Sequence, residues 1–257
     1  KELIYADRVR RREPGDSTLG LSPHCDAGSI ERWTESNYQK IYDKVFSDQF
    51  EKRNWAEVSA KINSTTSKNI EMALEGAGEG GMDDLAALLS PLANKEYLED
   101  MAQLANQLTM QRFGKAIRLF APIYLSNECN NVCDYCGFSM GNDIARKTLS
   151  PAEILREIGI LRKLQFDHVL LVTGESSQKV GVDYLYDSIS VLNEYFSNVS
   201  MEVQPLKSDE YSYLISAGLH AVLVYQETYE KKSYSKHHIK GKKRNFDWRL
   251  NTPDRLG

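Results

Sequence analysis

The chain has 257 residues, 41% of them hydrophobic and 26% charged, enough to bury one large core or two small ones. Its net charge of -4 and pI near 5.8 leave no broad basic surface and argue against general nucleic-acid binding. No apolar run approaches a membrane span, and Lys1-Glu2-Leu3-Ile4 has no secretory-signal character. Because residue 1 is not Met, a fragment or trimmed chain is expected.

Residues 1–45 are polar and turn-rich, with a basic run at 8–12 that reads first as a solvated strip. Helical spacing follows at 55–62 and 69–74, with Ser67 placed to cap the second segment. The stretch Gly76-Ala77-Gly78-Glu79-Gly80-Gly81 reads as a loop, because so many glycines weaken any helix or strand. Asp83-Asp84 then opens a short helix over 85–89, and a long helix is expected over 95–112, ending at Gly114.

Beyond Gly114, apolar strands are expected at 117–125, 168–173, 200–205 and 221–226, separated by helices at 151–164, 182–196 and 209–217. Ser150 and Pro151 suit the N-cap and first position of the first of these helices. Short apolar strands parted by helices predict an α/β fold with a parallel sheet. Candidate ligands fall repeatedly just past strand ends, where (βα) barrels keep their active sites. The expected fold is therefore a truncated (βα) barrel of about four units after a helical N-terminal region. A complete barrel takes about 250 residues, so the division expected is 1–45, a helical lead-in at 46–114, and a partial barrel at 115–257.

Of the four cysteines, Cys129, Cys133 and Cys136 lie together as C-x3-C-x2-C directly after an expected strand, and Cys25 stands about a hundred residues away. Such crowding suits metal ligation in a reducing, cytoplasmic compartment better than a disulfide framework. Thiolates are soft ligands for zinc or iron–sulfur clusters. An electron-transfer four-iron cluster takes four cysteines, so three would leave one iron open. The alternative is a structural zinc site closed by Cys25 or by His168, the nearest downstream histidine.

The spacing, with the aromatic Tyr135 just before the last cysteine, resembles the radical S-adenosylmethionine (SAM) superfamily. Further segments narrow the resemblance to the 2-iminoacetate synthase family, the tyrosine lyases of thiamine biosynthesis. They are Tyr124-Leu-Ser-Asn127, Cys136-Gly-Phe-Ser-Met140, Arg146-Lys-Thr-Leu149, Leu170-Leu-Val-Thr-Gly-Glu175, Met201-Glu-Val-Gln-Pro-Leu206, Tyr225-Gln-Glu-Thr-Tyr229 and the final run from Gly241. The likeness covers about 46–257. It implies a [4Fe-4S] cluster on Cys129, Cys133 and Cys136, and SAM bound at the open iron. It also implies radical cleavage of L-tyrosine to 2-iminoacetate and p-cresol. Thiazole synthase would take the product, and flavodoxin or ferredoxin would donate electrons. A hydrogenase-maturation tyrosine lyase is the related alternative.

By motif position the resemblance places Tyr135 beside adenine and Thr173-Gly174-Glu175 at the SAM amino group. Glu202 and Gln204 are expected to share one face of the third strand, turned toward the barrel interior, with Tyr225 and Glu227 doing the same on the fourth. His238 matches a substrate-pocket position of the hydrogenase-maturation lyases, although its lysine-rich surroundings read as surface. Arg249 is a candidate carboxylate clamp or a structural ion-pair partner, while Phe246 and Trp248 read as packing residues.

Residues 1–45 do not resemble this family. The run from Gly15 through His24-Cys25-Asp26 to Trp33 resembles an uncharacterised family of iron/2-oxoglutarate oxygenases. His24 and Asp26 would give two ligands of a facial triad that needs a second histidine, so they are expected to be catalytically idle, whether the chain is a fusion of two gene pieces, a rearranged or mispredicted reading frame, or a natural chimera. An iron/2-oxoglutarate oxygenase and an inert, zinc-stabilised fragment are the competing readings of the whole.

Overall fold

The computed structural model describes residues 46–51, 54–77 and 79–256. The basic run at 8–12 and His24, Cys25 and Asp26 lie outside them. The chain divides into two compact units, Phe50–Arg118 and a second containing Leu119–Gly257. Among the described residues, no helix is long and apolar enough to cross a membrane.

Helix α1 (Phe46–Glu51) is followed by α2 (Trp55–Asn63), α3 (Ser67–Glu75), α4 (Met82–Leu88), α5 (Pro91–Glu96) and α6 (Leu98–Phe113). The cap of α3 is Thr66 rather than Ser67. The Thr66 hydroxyl accepts from the Asn69 N–H, and Asn69 Oδ1 in return accepts from the Thr66 N–H. The single helix expected over 95–112 is two. Ser90 caps α5 by accepting from Ala93 N–H at 3.1 Å, Pro91 takes the first helical position, and the path breaks at Tyr97. The apolar centre of this unit is small, built from Ile70, Ala73, Ala87 and Ala93.

The second unit alternates β1 (Phe120–Ser126), β2 (Val132–Cys133), α7 (Pro151–Lys163), β3 (His168–Thr173), α8 (Val182–Asn193), β4 (Asn198–Glu202), α9 (Ser208–Ser216) and β5 (Leu219–Val222). Then come α10 (Lys231–His237), β6 (His238–Lys240), a 3-10 turn at Lys242–Arg244, α11 (Phe246–Leu250) and α12 (Thr252–Leu256). The four long-range strands are parallel in the order β1-β3-β4-β5, each beside its predecessor. Unreversed order is what an arc of a (βα) barrel requires, because every right-handed crossover then puts its helix on the same face.

Strand parity separates the two faces. Ile123, Leu125, Val169, Leu171, Val199 and Met201 meet Ile154 and Ile158 of α7, Leu185, Ile189 and Leu192 of α8, and Tyr211 and Leu214 of α9 in one core. On the other face Tyr124, Val172 and Glu202 stand in register across three strands, Tyr124 exposed and the other two half-buried. As expected, Pro151 begins α7. Glu153 accepts from both the N–H and the hydroxyl of Ser150 at 2.9 Å, completing the helix start.

Two strands are shorter than their apolar runs. The third ends at Glu202, and Pro205, which has no N–H, could not have continued the ladder. The fourth pairs only to Val222, with Leu223 N–H still reaching the Met201 carbonyl at 2.8 Å. Gln204, Tyr225 and Glu227 therefore sit on loops past the strand ends, and strand alternation no longer sets where they point.

Leu171 is fully buried on a central strand, so Leu171→Ala should lower the unfolding free energy by about 2–5 kcal/mol in urea titration. Gln165 ends α7 in the left-handed region at φ 62°, a conformation that costs a side-chain-bearing residue about 1 kcal/mol. Gln165→Gly should accordingly raise the melting temperature.

Candidate functional site

The site lies where the chain leaves the C-terminal ends of the parallel strands. After β1 the backbone runs through Cys129, makes the two-residue strand β2, and turns at Cys136. Strand β2 pairs antiparallel with β6, Cys133 opposite His238 and Val132 opposite Lys240. Ser139 accepts from the Cys133 N–H at 3.1 Å. Arg146 spans the base of the loop, donating to the carbonyls of Asn127, Phe138 and Ser139 at 2.7–2.8 Å.

Two glycines let neighbouring loops close on this one. At Gly174 a Cβ would collide with the Glu128 carbonyl and lie 3.2 Å from Cys129 Cβ. At Gly241, with φ +98°, it would collide with the Asn131 side chain and lie 2.8 Å from the Asn130 carbonyl. The Gly174 N–H donates to the Ser126 carbonyl, and the Asn130 N–H to the Glu175 carbonyl.

Asn131, 1% exposed, joins the three segments. Its Nδ2 donates to Glu175 Oε2 at 2.9 Å and lies 3.7 Å from Cys129 Sγ, and its Oδ1 accepts from the Lys243 N–H at 3.0 Å. Glu175 also forms a buried ion pair with Arg249, whose Nη1 donates to the Tyr225 carbonyl at 3.2 Å. Removing either partner of such a pair strands a buried charge, at a cost of about 3–5 kcal/mol.

Cys129, Cys133 and Cys136 are free thiols lining one cavity of about 360 Å³ with Tyr124, Tyr135, Glu175, Glu202, Glu227 and Arg249. Burial pushes the Cys133 thiol up to about 11, against a partly opposing Lys243 ammonium. A thiol so placed ionises when a metal supplies positive charge. Among the described residues, no three His, Cys, Asp or Glu are gathered as ligands of a single ion. A cluster asks for something different, one cysteine per iron around a shared space. Two further buried polar atoms without a partner, Thr173 Oγ1 and Arg249 Nε, belong to residues of the same cavity wall. The donor set and these open polar positions fit an iron–sulfur cluster with a polar ligand beside it. His168, weighed as a zinc ligand, instead opens β3 at the far end of the sheet and contacts Asn198 at 2.8 Å.

His238 is buried, not a surface histidine. Its ring stacks on Tyr234 at 3.8 Å, Nδ1 lies 2.7 Å from the Tyr234 carbonyl, and Nε2 lies 2.7 Å from the Tyr135 hydroxyl. A carbonyl can only accept, so Nδ1 carries the proton and Nε2 accepts from Tyr135. Burial holds the imidazole below its ordinary pKa and favours that neutral form. The Tyr135 phenol, also desolvated and near Glu227, is pushed up and remains a donor.

Glu227 sits at φ 66°, a left-handed conformation unusual for glutamate. It accepts from Lys243 Nζ at 2.7 Å. Burial acts to raise its pKa, but the Lys243 hydrogen bond and charge outweigh this and hold it low. Glu202 moves the other way, raised by burial and by Glu227.

The structure thus brings Tyr135, Thr173, Gly174, Glu175, Glu202, Tyr225, Glu227 and Arg249 to the cysteine cavity. Gln204 is not among them. It donates to the Val180 carbonyl at 3.1 Å and lines an adjoining cavity of about 740 Å³ that shares Asn131, Glu175 and Arg249 with the first. His238 reaches the cavity only through Tyr135. Asn131, Arg146, Lys243 and Gly241 are structural partners that spacing alone did not single out as site residues. Phe246 packs beneath Tyr234, edge to face at 5.1 Å, and Trp248 stacks under Arg255.

A family model described as the radical SAM superfamily matches residues 123–257, and one described as Gig2-like matches residues 1–73. The chain is 51% identical over 214 residues to 2-iminoacetate synthase of Escherichia coli strain K12, covering 83% of this chain and 56% of that enzyme. A stretch of 44 residues is 48% identical to the uncharacterised protein YbiU of the same organism, 10% of that protein's length. The crystal structure of HydG, a maturase of the FeFe-hydrogenase, superposes with a TM-score of 0.75 at 27% identity, over 79% of this chain and 47% of that one. The chain therefore spans about half the length of the relatives it matches.

Gly174→Ala must part the two loops, and should cost about 1–3 kcal/mol while speeding alkylation of Cys129, followed by mass spectrometry. Glu227 should show a pH signature. Its folded pKa lies below the unfolded one, so its contribution is present above the unfolded carboxylate range and is lost as pH falls from there through the folded pKa. The stability gap between the parent and Glu227→Gln should be about 1 kcal/mol at pH 7 and shrink below about pH 4.

Proposed function

The chain belongs to the radical SAM superfamily, and on that premise we propose that it is a carbon–carbon lyase of the 2-iminoacetate synthase type. It would cleave the Cα–Cβ bond of L-tyrosine to 2-iminoacetate (dehydroglycine) and p-cresol, for thiazole formation in thiamine biosynthesis. One observation carries the reading: a single cavity gathers three free cysteines with the Glu175–Arg249 pair. The 51% identity to an enzyme named 2-iminoacetate synthase supports tyrosine as the substrate. The hydrogenase-maturation lyase is the weaker reading, supported by a fold shared at 27% identity.

Cys129, Cys133 and Cys136 would hold a [4Fe-4S] cluster by three of its irons. Together with SAM, that cluster would supply one-electron reduction and the radical that removes a hydrogen from tyrosine. The protein's part is position and charge. Glu175, already fixed by Asn131 and Arg249, offers a carboxylate to the SAM ammonium. Tyr135, tied through its hydroxyl to His238, presents its ring to the adenine. Arg249 has an unused Nε for a carboxylate. Glu202, its carboxyl raised, faces the same space from β4 and can keep a proton there at higher pH than an exposed glutamate. The imine would pass to thiazole synthase, flavodoxin or ferredoxin would supply electrons, and cluster thiolates suit the reducing cytoplasm.

Anaerobic reconstitution tests this. About four irons and four sulfides per chain should be retained, with an electron paramagnetic resonance signal altered by SAM, then 5′-deoxyadenosine and p-cresol from L-tyrosine. Zinc, one lone iron, or a spectrum indifferent to SAM would sink the proposal. Cys133→Ala should lose the cluster. Glu175→Gln should keep it but weaken SAM binding about 10- to 100-fold, the worth of one charge-assisted hydrogen bond.

A further inference from the structure

The chain is acidic overall, yet Lys231 through Asn245 hold six lysines and one arginine with no aspartate or glutamate. Two of these cations are committed: Lys231 pairs with Asp247 and Lys243 with Glu227. Lys232, Lys236, Lys240, Lys242 and Arg244 are exposed, and none has an ion pair among the described residues. The nearby carboxylates are Asp134, which meets His237, and Glu230, which caps α10 beside Lys232; neither forms an ion pair with Lys236, Lys240, Lys242 or Arg244 among the described residues. Lys232 and Lys236 ride on α10, and Lys236 in its last turn suits the helix dipole. Lys240, Lys242 and Arg244 lie beyond the helix, so that explanation does not reach them.

The placement of this strip gives it a purpose. Strand β6 is hydrogen-bonded to β2, with Lys240 opposite Val132 and His238 opposite Cys133. The Asp134 N–H donates to the His237 carbonyl at 3.3 Å. The positive charge therefore borders the backbone that carries Cys133, on a molecule of net charge -4.

We propose that this strip, centred on Lys236, Lys240 and Arg244, is the docking surface for an acidic one-electron donor protein. The inference rests on the cluster reading above. The donor is oxidised by one electron as the cluster held by the cysteines is reduced by one, so nothing else need be exchanged at the contact. Opposite charge on the two proteins speeds encounter and fixes orientation more than it adds final affinity, and it weakens as salt rises. A basic strip beside β6 attracts an acidic partner along that face, which brings the donor to the β2–β6 edge.

The test uses the full chain and an acidic flavodoxin as probe, in two arms. In the first, flavodoxin binding to the chain without cluster is followed by fluorescence anisotropy at 50 and 500 mM salt. Binding should weaken at least about tenfold across that range. The triple variant Lys236→Glu, Lys240→Glu, Arg244→Glu should reproduce the loss at low salt, and the milder triple glutamine variant should fall between. In the second, the reconstituted chain is reduced by flavodoxin hydroquinone or by dithionite. The variants should slow the flavodoxin reaction about 10- to 100-fold and leave the dithionite reaction unchanged.

Equal flavodoxin binding and reduction by parent and variants overturns the proposal, as does a variant defect confined to binding of a single-stranded oligonucleotide. Failure of dithionite to reduce the parent would instead indict the cluster reading. Should the glutamate variant not fold, the salt dependence of the unmodified chain and the glutamine variant still decide.

Discussion

The cysteine loop, the turn after β3 and the segment after β6 approach so closely that two of the contact points have no room for a Cβ, at Gly174 and Gly241. With the backbones that near, the Gly174 and Asn130 amides reach carbonyls on the neighbouring loop. The short side chain of Asn131 can then touch all three segments. Glu175, Arg249 and Lys243 take their places from that contact. The cysteine loop holds only the two-residue strand β2. Its geometry comes from backbone hydrogen bonds, from the Arg146 guanidinium across its carbonyls, and from the β2–β6 pairing.

Charge is distributed in the cavity so that few groups are left alone. Glu175 answers Arg249 and Glu227 answers Lys243. Glu202 has no ion pair among the described residues, and burial with a neighbouring carboxylate raises its pKa. The Cys133 thiol is likewise raised. Both shifts describe a wall that gains from added positive charge. An iron cluster binding thiolates and a cationic ammonium beside carboxylates would each supply it. The Tyr135–His238–Tyr234 chain is different in kind, because neutral donors and acceptors matched one to one orient a ring without adding charge.

Much of the fold was legible along the chain. The alternation of apolar strands and capped helices, with Ser150-Pro151 opening α7, depends on residues a few positions apart, and the parallel sheet in sequential order followed. Errors came where local pattern outran pairing. Apolar character continues through 203–206 and 223–225, but the ladder stops at Glu202 and Val222, and Gln204 lies past the strand end, bonded to the Val180 carbonyl. The helix expected at 95–112 missed the Ser90 cap because the serine and proline lie upstream of the window that carried the periodicity.

By itself the sequence determined the C-x3-C-x2-C loop, its position after a strand, and the family, since all three are written in short contiguous motifs. Only the tertiary structure decided that His238 is buried behind Tyr135, that Glu175 meets Arg249, and that Asn131 and Lys243 belong to the site. Those partners are separated by 74 to 112 positions. No local pattern can encode such meetings, because they exist only once the strands have stacked in order and two glycines have let the loops above them close.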